Sequence, residues 1–197
     1  MTDMAEEARG AVLQVIAQEW ISVDGYAAGT ASEQDVIGAA TPAANAASQE
    51  WNISLLAGID EVLLGRRTYE LFASYWPAAD EPIAGPLNAA RKTVCSRTLT
   101  TAPWPGGPDA AVVPDALSYV RGKRDQAGRV LIWGSLSLVH ALLAAGELDE
   151  LDLFVAPVAL GAGAPLFPWG PLPLQLLASE YWDGTLHVRY GTGTPGL

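Results

Sequence analysis

The chain has 197 residues, of which 50% are hydrophobic and 17% are charged, so it can build one sizeable folded core. Its formal net charge of −11 argues against binding to nucleic acid or to anionic membranes, because both carry negative charge. No apolar run reaches the roughly 18 residues of a membrane-spanning helix. A single cysteine, Cys95, excludes an internal disulfide, as is usual for the cytoplasmic protein that we expect here.

The first ten residues, "MTDMAEEARG", lack the basic start and apolar run of a secretory signal, and we expect residues 1–10 to form a flexible acidic tail. Residues 11–197 are expected to form a single domain. Its predicted strands are apolar or β-branched runs that end at turn residues; they cover 11–23, 61–65, 92–96, 110–113, 129–134 and 151–157. Its predicted helices have apolar residues three or four positions apart; they cover 46–59, 66–76, 115–126 and 135–146.

Residues 27–45 are rich in Ala, Gly, Thr and Ser and are predicted to be a loop. The chain is predicted to close with a hairpin of 174–182 and 185–193 around Asp183 and Gly184. The alternation of strands and helices indicates an α/β domain with a mostly parallel central sheet, flanking helices and an antiparallel C-terminal hairpin. Ligands of such sheets bind beyond the carboxyl ends of the strands.

Two junctions, at Gly65 and Gly134, pass directly from a strand into a helix. Each helix N-terminus offers unpaired N–H groups and about half a positive charge, and each glycine lets a ligand approach the backbone. Either junction alone is ordinary in an α/β fold. Together they could hold a pyrophosphate between two helix N-termini.

Other patterns carry less information. "GTGTPG" at 191–196 matches G-x-G-x-x-G, but no helix follows it, so we do not assign it to a dinucleotide. His140 and His187 have no partners at metal-ligand spacing, and we expect no metal site. A G-x-S-x-G nucleophile motif is also absent from the sequence.

Four segments in order, "ISVDG", "LLGRRTYELFASYWP", "KTVCSRTL" and "WGSLSLVHALLAAGELDELDLFVAPVALGAGAPLF", resemble the dihydrofolate reductase-like superfamily. The closer resemblance is to the branch that includes the reductase domain of the bifunctional riboflavin-biosynthesis deaminase–reductase and many stand-alone bacterial proteins. It covers nearly all of the chain from about residue 11. It implies a dihydrofolate reductase-like fold and NADPH-dependent reduction of a C=N or C=O bond in a pterin- or pyrimidine-like molecule.

The resemblance also implies which residues bind NADPH. Arg67 would help the first junction to hold the cofactor phosphates, or would point to solvent. The 2′-phosphate would be bound by a hydroxyl together with a guanidinium group. The residues implied for the first junction are Gly65, Arg66, Arg67 and Thr68; for the 2′-phosphate, Ser96 and Arg97; for the pyrophosphate and nicotinamide side, Gly134, Ser135, Leu136, Ser137 and Leu138. Relatives often have Gly-Ser-Gly-Thr-Leu in the last segment, so Leu136 could narrow the cofactor site.

For the substrate, Asp24 is the candidate catalytic acid, since a partly buried carboxyl can stay protonated and deliver a proton. Glu50 is the rival acidic group, because the acidic residue of dihydrofolate reductases comes from the helix after the first strand. Trp51 and Trp133 could stack on a flat heterocycle or could be core residues. A homodimer is a further expectation.

Two alternatives to this function stay open. One is the 5-amino-6-(5-phosphoribosylamino)uracil reductase step of riboflavin biosynthesis. Members that catalyse it tend to have Arg after Asp-Gly, whereas Tyr26 follows Gly25 here and no Lys or Arg occurs from 11 to 65, which argues mildly against a phosphorylated substrate. The other alternative is a non-catalytic nucleotide- or drug-binding protein on the same fold.

Overall fold

A computed structural model describes residues 12–193. The predicted acidic tail, residues 1–10, lies outside this range. None of the helices in the described range is long and apolar enough to cross a membrane. The strands, in chain order, are β1 (Leu13–Ser22), β2 (Tyr26–Ala28), β3 (Glu61–Gly65), β4 (Lys92–Cys95), β5 (Ala111–Val113), β6 (Gly128–Trp133), β7 (Glu150–Ala156), β8 (Ala164–Pro165), β9 (Gln175–Trp182) and β10 (Thr185–Gly191).

Eight of the strands form a central sheet in the order β5-β4-β3-β6-β1-β7-β10-β9. The pairs from β5 to β7 are parallel, and β10 pairs antiparallel with both β7 and β9. Strands β2 and β8 form a separate antiparallel pair. The predicted fold class, a mostly parallel sheet with an antiparallel C-terminal hairpin, is confirmed.

The helices are α1 (Gln34–Ile37), α2 (Pro42–Leu56), α3 (Arg66–Tyr75), α4 (Ala84–Ala89), α5 (Ala116–Arg121) and α6 (Leu136–Ala144), with a 3-10 turn at Trp76–Ala78. The predicted loop 27–45 is partly wrong, because it holds part of β2, all of α1 and the first turn of α2. Helix α2 begins earlier than predicted since the Thr41 hydroxyl accepts the Ala44 N–H at 3.1 Å and Pro42 occupies the first helical position. Helix α4 has no counterpart in the sequence prediction.

The sheet is covered on both faces. On one face Val15 and Ala17 of β1 belong to the same core as Val139 and Leu142 of α6. On the other face, Ile16 packs in a core with residues of α2 and α3. Strand β1 is therefore apolar on both sides, as expected for a central parallel strand.

Strand β1 extends beyond its neighbour β6. It pairs with β6 only as far as Gln18, opposite Trp133, but with β7 as far as Ser22. The last residues of β1 therefore have no strand on the β6 side, which leaves a gap at the carboxyl ends of the strands. This is where open α/β sheets bind ligands.

Candidate functional site

A cavity of about 400 Å³ lies at this gap. It joins the end of β1 to both strand-to-helix junctions and to the segment of β2 and α1. The residues that line it are Gln18, Glu19, Trp20, Ala27, Ala28, Glu33, Ile37, Arg67, Thr68, Leu71, Phe72, Trp133, Gly134, Ser135 and Leu136. The two junctions that the sequence singled out therefore meet at one cavity.

The side chain of Ser135 connects the junctions. Its Oγ accepts the backbone N–H of Gly65 at 2.7 Å and lies 2.8 Å from Thr68 Oγ1. Ser135 adopts a left-handed conformation, with φ of 70° and ψ of 67°, which disfavours residues with a Cβ. The two hydrogen-bonding contacts stabilise this conformation at the start of α6.

The two glycines meet different requirements. Gly134 has a φ of 67°, and a Cβ there would also lie 3.2 Å from Thr68 Cγ2. At Gly65 a Cβ would fall 2.2 Å from Ser135 Oγ and 2.9 Å from Ser135 Cβ. We had expected Gly65 to make room for a ligand. In the structure it makes room for Ser135.

Backbone donors remain at the second junction. No acceptor occurs among residues 12–193 for the N–H groups of Ser135, Leu136 and Ser137. Leu138 differs from the expectation, because its N–H donates to the carbonyl of Ser135 at 2.7 Å. The N–H of Gly65 is likewise used internally, by Ser135 Oγ. The remaining donors at the N-terminus of α6, with the dipole of that helix, suit an anionic phosphate.

Basic side chains flank the first junction. Arg66 donates from Nη1 to Thr98 Oγ1 at 2.9 Å and from Nε to Glu70 Oε1 at 2.7 Å. The first contact joins α3 to the loop after β4, where Ser96 Oγ accepts the N–H groups of Thr98 and Leu99. Arg97 and Arg67 are exposed, and Arg67 lies on the cavity wall. The residues predicted for the cofactor phosphates thus occupy one side of the molecule.

Glu19 was not predicted from the sequence. It is partly buried on the cavity wall, and its Oε1 is closed off from solvent with no hydrogen-bond partner in the described part of the chain. Burial, reinforced by the negative charge of Glu33, raises the pKa of Glu19 to about 8. The carboxyl is therefore mainly protonated at neutral pH. A charged residue inside the apolar strand "VIAQEWIS" was the available signal.

Asp24 has surroundings unlike those expected of an acid catalyst. It is exposed, and its carboxylate accepts the Ser22 hydroxyl at 2.6 Å and the Gly161 N–H at 2.7 Å, with a further N–H from Leu160. These hydrogen bonds lower the pKa of Asp24 to about 2. A carboxylate that is ionised throughout the neutral range cannot deliver a proton there, so the expectation of a protonated Asp24 is not met. It organises the turn after β1 instead.

The other candidates for contacting the substrate differ in whether they line the cavity. Glu50 is exposed on α2 and does not line the cavity. Trp51 is also absent from the cavity wall, because its Nε1 donates to Asp152 Oδ2 at 2.8 Å and its ring packs against His187. Trp133 does line the cavity, with Trp20 and Phe72. No cluster of three or more His, Cys, Asp or Glu side chains suited to a metal occurs within 12–193.

Comparisons with known proteins agree with this architecture. In solved structures the chain is similar to a protein of Shewanella sp. PV-4 described as a riboflavin biosynthesis protein, with a TM-score of 0.73, 20% identity, and coverage of 92% of this chain and 99% of that one. It is also similar to a pyrimidine reductase-like protein of Corynebacterium diphtheriae, with a TM-score of 0.65, 15% identity and 92% coverage of each chain. These likenesses establish the shared fold.

Among curated sequences, the chain is 29% identical over 116 residues to the uncharacterised protein YyaP of Bacillus subtilis (strain 168). That alignment covers 55% of this chain and 60% of its relative. The family model of the RibD C-terminal domain matches residues 14–188, which is most of the chain. The chain therefore belongs to the RibD C-terminal domain family, a reductase family with the dihydrofolate reductase-like fold.

Proposed function

We propose that this protein is an NADPH-dependent reductase of a pyrimidine- or pterin-like small molecule. The observation that carries the proposal is the cavity at the carboxyl ends of β1 and β6, because the first residues of α6 and the side chain of Glu19 both line it. A reductase needs a site for an anionic dinucleotide beside a source of protons, and these two groups are our candidates for those roles. Family membership supports a reductase, with a nicotinamide cofactor as the family's reductant.

The residues present fit such a cofactor. The free N–H groups of Ser135, Leu136 and Ser137, with exposed Arg67, would hold the pyrophosphate. Ser96 and Arg97 would meet the 2′-phosphate of NADPH, which NADH lacks. When bound, NADPH supplies a hydride.

Glu19 would provide the proton. Its carboxyl lines the cavity and, because burial opposes ionisation, it keeps its proton near pH 7. Trp20, Phe72 and Trp133 offer flat apolar walls for a heterocyclic ring. This assignment replaces Asp24, whose carboxylate is committed to the turn at Gly161.

The riboflavin step is a second candidate, favoured by the family and by the Shewanella protein's description. Its substrate carries a phosphate. Against it, the cavity wall has the negative charge of Glu33 and a single basic side chain, Arg67, which the proposed cofactor would occupy. We therefore favour an unphosphorylated ring. Turnover of matched ribosylated pyrimidines with and without the phosphate separates the two candidates.

The proton role is tested with Glu19→Gln. This variant keeps the shape and cannot release a proton, so turnover should fall by about 10²- to 10⁴-fold. In the wild type, the rate should fall as pH rises through about 8, because Glu19 then loses its proton. Glu19→Gln should lack this alkaline limb.

Glu33→Gln is the matched control from the same cavity wall. Removing the charge of Glu33 makes ionisation of Glu19 easier, so this variant should keep its turnover while its alkaline limb moves to lower pH. An unchanged rate and pH profile in Glu19→Gln would show that another group supplies the proton. Tight NADPH binding without turnover of any pterin or pyrimidine would favour the non-catalytic alternative.

We also propose that the protein acts in the cytoplasm as a homodimer. The edge strand β9 exposes Leu176, Leu177 and Tyr181, a row of apolar side chains that a second copy could cover. Light scattering at micromolar concentration measures the mass in solution, and a monomer there would refute the dimer.

A further inference from the structure

Two glutamines lie four residues apart in β1, and each amide faces a carboxylate of β7. Gln14 Nε2 donates to Glu150 at 3.2 Å, and its Oε1 accepts the Arg129 Nε–H at 2.9 Å. Gln18 Nε2 donates to Asp152 Oδ2 at 3.1 Å. Its Oε1 is buried and has no partner among the described residues. Both polar atoms of the Gln14 amide, near the start of β1, therefore have a partner, whereas the Oε1 of Gln18 at the cavity has none in the described range.

The Gln18 amide is oriented by its hydrogen bond to Asp152. Nε2 donates to Asp152 Oδ2, so Oε1 faces away from that carboxyl group. Asp152 is fully buried and also accepts Trp51 Nε1–H at 2.8 Å, while its Oδ1 lies 2.7 Å from His187 Nε2. His187 is buried against the rings of Trp51 and Trp182. Asp152 therefore has little freedom to release Gln18.

The unpartnered oxygen belongs to a residue of the cavity wall. Gln18 is 2% exposed and lines the cavity, as does Glu19, whose Oε1 also lacks a partner within residues 12–193. A buried acceptor without a donor is unfavourable, and a ligand that brings an N–H group removes the penalty.

We infer that Gln18 is a specificity-determining residue whose Oε1 accepts a hydrogen bond from an exocyclic amino group on the substrate ring, with Asp152 as its positioning residue. The inference rests on the proposed function, because it concerns the substrate of the same cavity. It assigns a role to the buried cluster of Gln18, Asp152, Trp51 and His187, which the proton and cofactor assignments leave unused.

The test uses ring pairs in which a methyl group replaces an amino group of similar size and both members are neutral. The pairs are 5-aminouracil with thymine, and 6-aminouracil with 6-methyluracil. Binding is followed by the fluorescence of Trp20 and Trp133 on the cavity wall, without any cofactor. In at least one pair, the amino compound should bind about ten- to a hundredfold more tightly.

Gln18→Met replaces the amide with an apolar side chain of similar length, while Asp152 keeps Trp51 and His187 as partners. This variant should bind both members of the pair within about twofold of each other. Gln14→Met is the matched control, because the same change is made in the same strand away from the cavity. It should keep the wild-type preference.

Equal binding of the two members of both pairs by the wild type, or no binding up to millimolar concentration, overturns the inference even if Gln18→Met fails to fold. A preference that survives in folded Gln18→Met overturns it as well. Failure of the proposed function gives a different result: the Gln18-dependent preference persists, but no ring is reduced with NADPH or NADH.

Discussion

The contact between Ser135 Oγ and the Gly65 N–H offers the sharpest test of the two-junction site. Ser135→Ala removes the Oγ and leaves the buried N–H of Gly65 without its acceptor, at a cost of about 1–3 kcal/mol. It also keeps a Cβ in the left-handed conformation at φ 70°. Ser135→Gly loses the same hydrogen bond but relieves about 1–2 kcal/mol of backbone strain.

The unfolded state offsets part of that relief, because glycine makes the unfolded chain more flexible by about 0.4–1 kcal/mol. The glycine variant should therefore be more stable than the alanine variant by about 1 kcal/mol, or about 2–4 °C in thermal midpoint for a chain of this size. This order is the opposite of the preference for alanine over glycine in helix interiors and agrees with the preference for glycine over alanine at N-caps.

Urea unfolding of wild type, Ser135→Ala and Ser135→Gly measures the three free energies of unfolding. Ser137→Ala is the control. Ser137 is exposed and lies two residues after Ser135, so this substitution should change the free energy of unfolding by less than about 0.5 kcal/mol. An alanine variant as stable as the wild type, or more stable than the glycine variant, would refute the account of Ser135. The first result would mean that the hydrogen bond does not stabilise this turn, and the second that relief of backbone strain does not govern it.

Two further predictions concern Arg97 and Asp24. Arg97→Ala should weaken NADPH binding by about 1.5–3 kcal/mol and leave NADH binding unchanged, as measured by tryptophan fluorescence; equal losses for both cofactors would contradict the 2′-phosphate assignment. Asp24→Asn should leave turnover near the wild-type value. The Asp24 carboxylate accepts the N–H of Gly161 and so stabilises the turn, and it does not donate a proton to the substrate. Because folding lowers the pKa of Asp24 from 3.8 to about 2, its stabilisation is present above about pH 4 and is lost as pH falls towards 2. Acid unfolding curves of the two proteins should therefore converge in that range, and parallel curves would contradict this role.

Local sequence signals determined much of the fold. The apolar runs that end at Gly65 and Gly134 marked two strands correctly, because a central parallel strand is buried on both faces and is therefore mostly apolar. Asp183 and Gly184 marked the closing hairpin, and both adopt the positive φ that such a tight turn requires. The helix predicted from 115 begins with Asp115 as its cap, since its carboxylate accepts the Ser118 N–H at 2.7 Å. The loop predicted from composition at 27–45 was partly wrong, because this segment rich in small residues forms α1 and the start of α2.

The site residues depended on contacts across long sequence separations. Asp24 looks like an acid beside a turn, but its pKa is lowered most by the Ser22 hydroxyl and further by the N–H groups of Gly161 and Leu160, which lie 137 and 136 residues away. Glu19 and Gln18 look like interruptions of an apolar strand. Only the end of β6 at Trp133 opens the cavity beside them, and only Asp152 decides which end of the Gln18 amide is free. Strand register and burial decide most of these properties, because a pKa or an unpaired oxygen depends on everything that packs nearby and not only on neighbours in sequence.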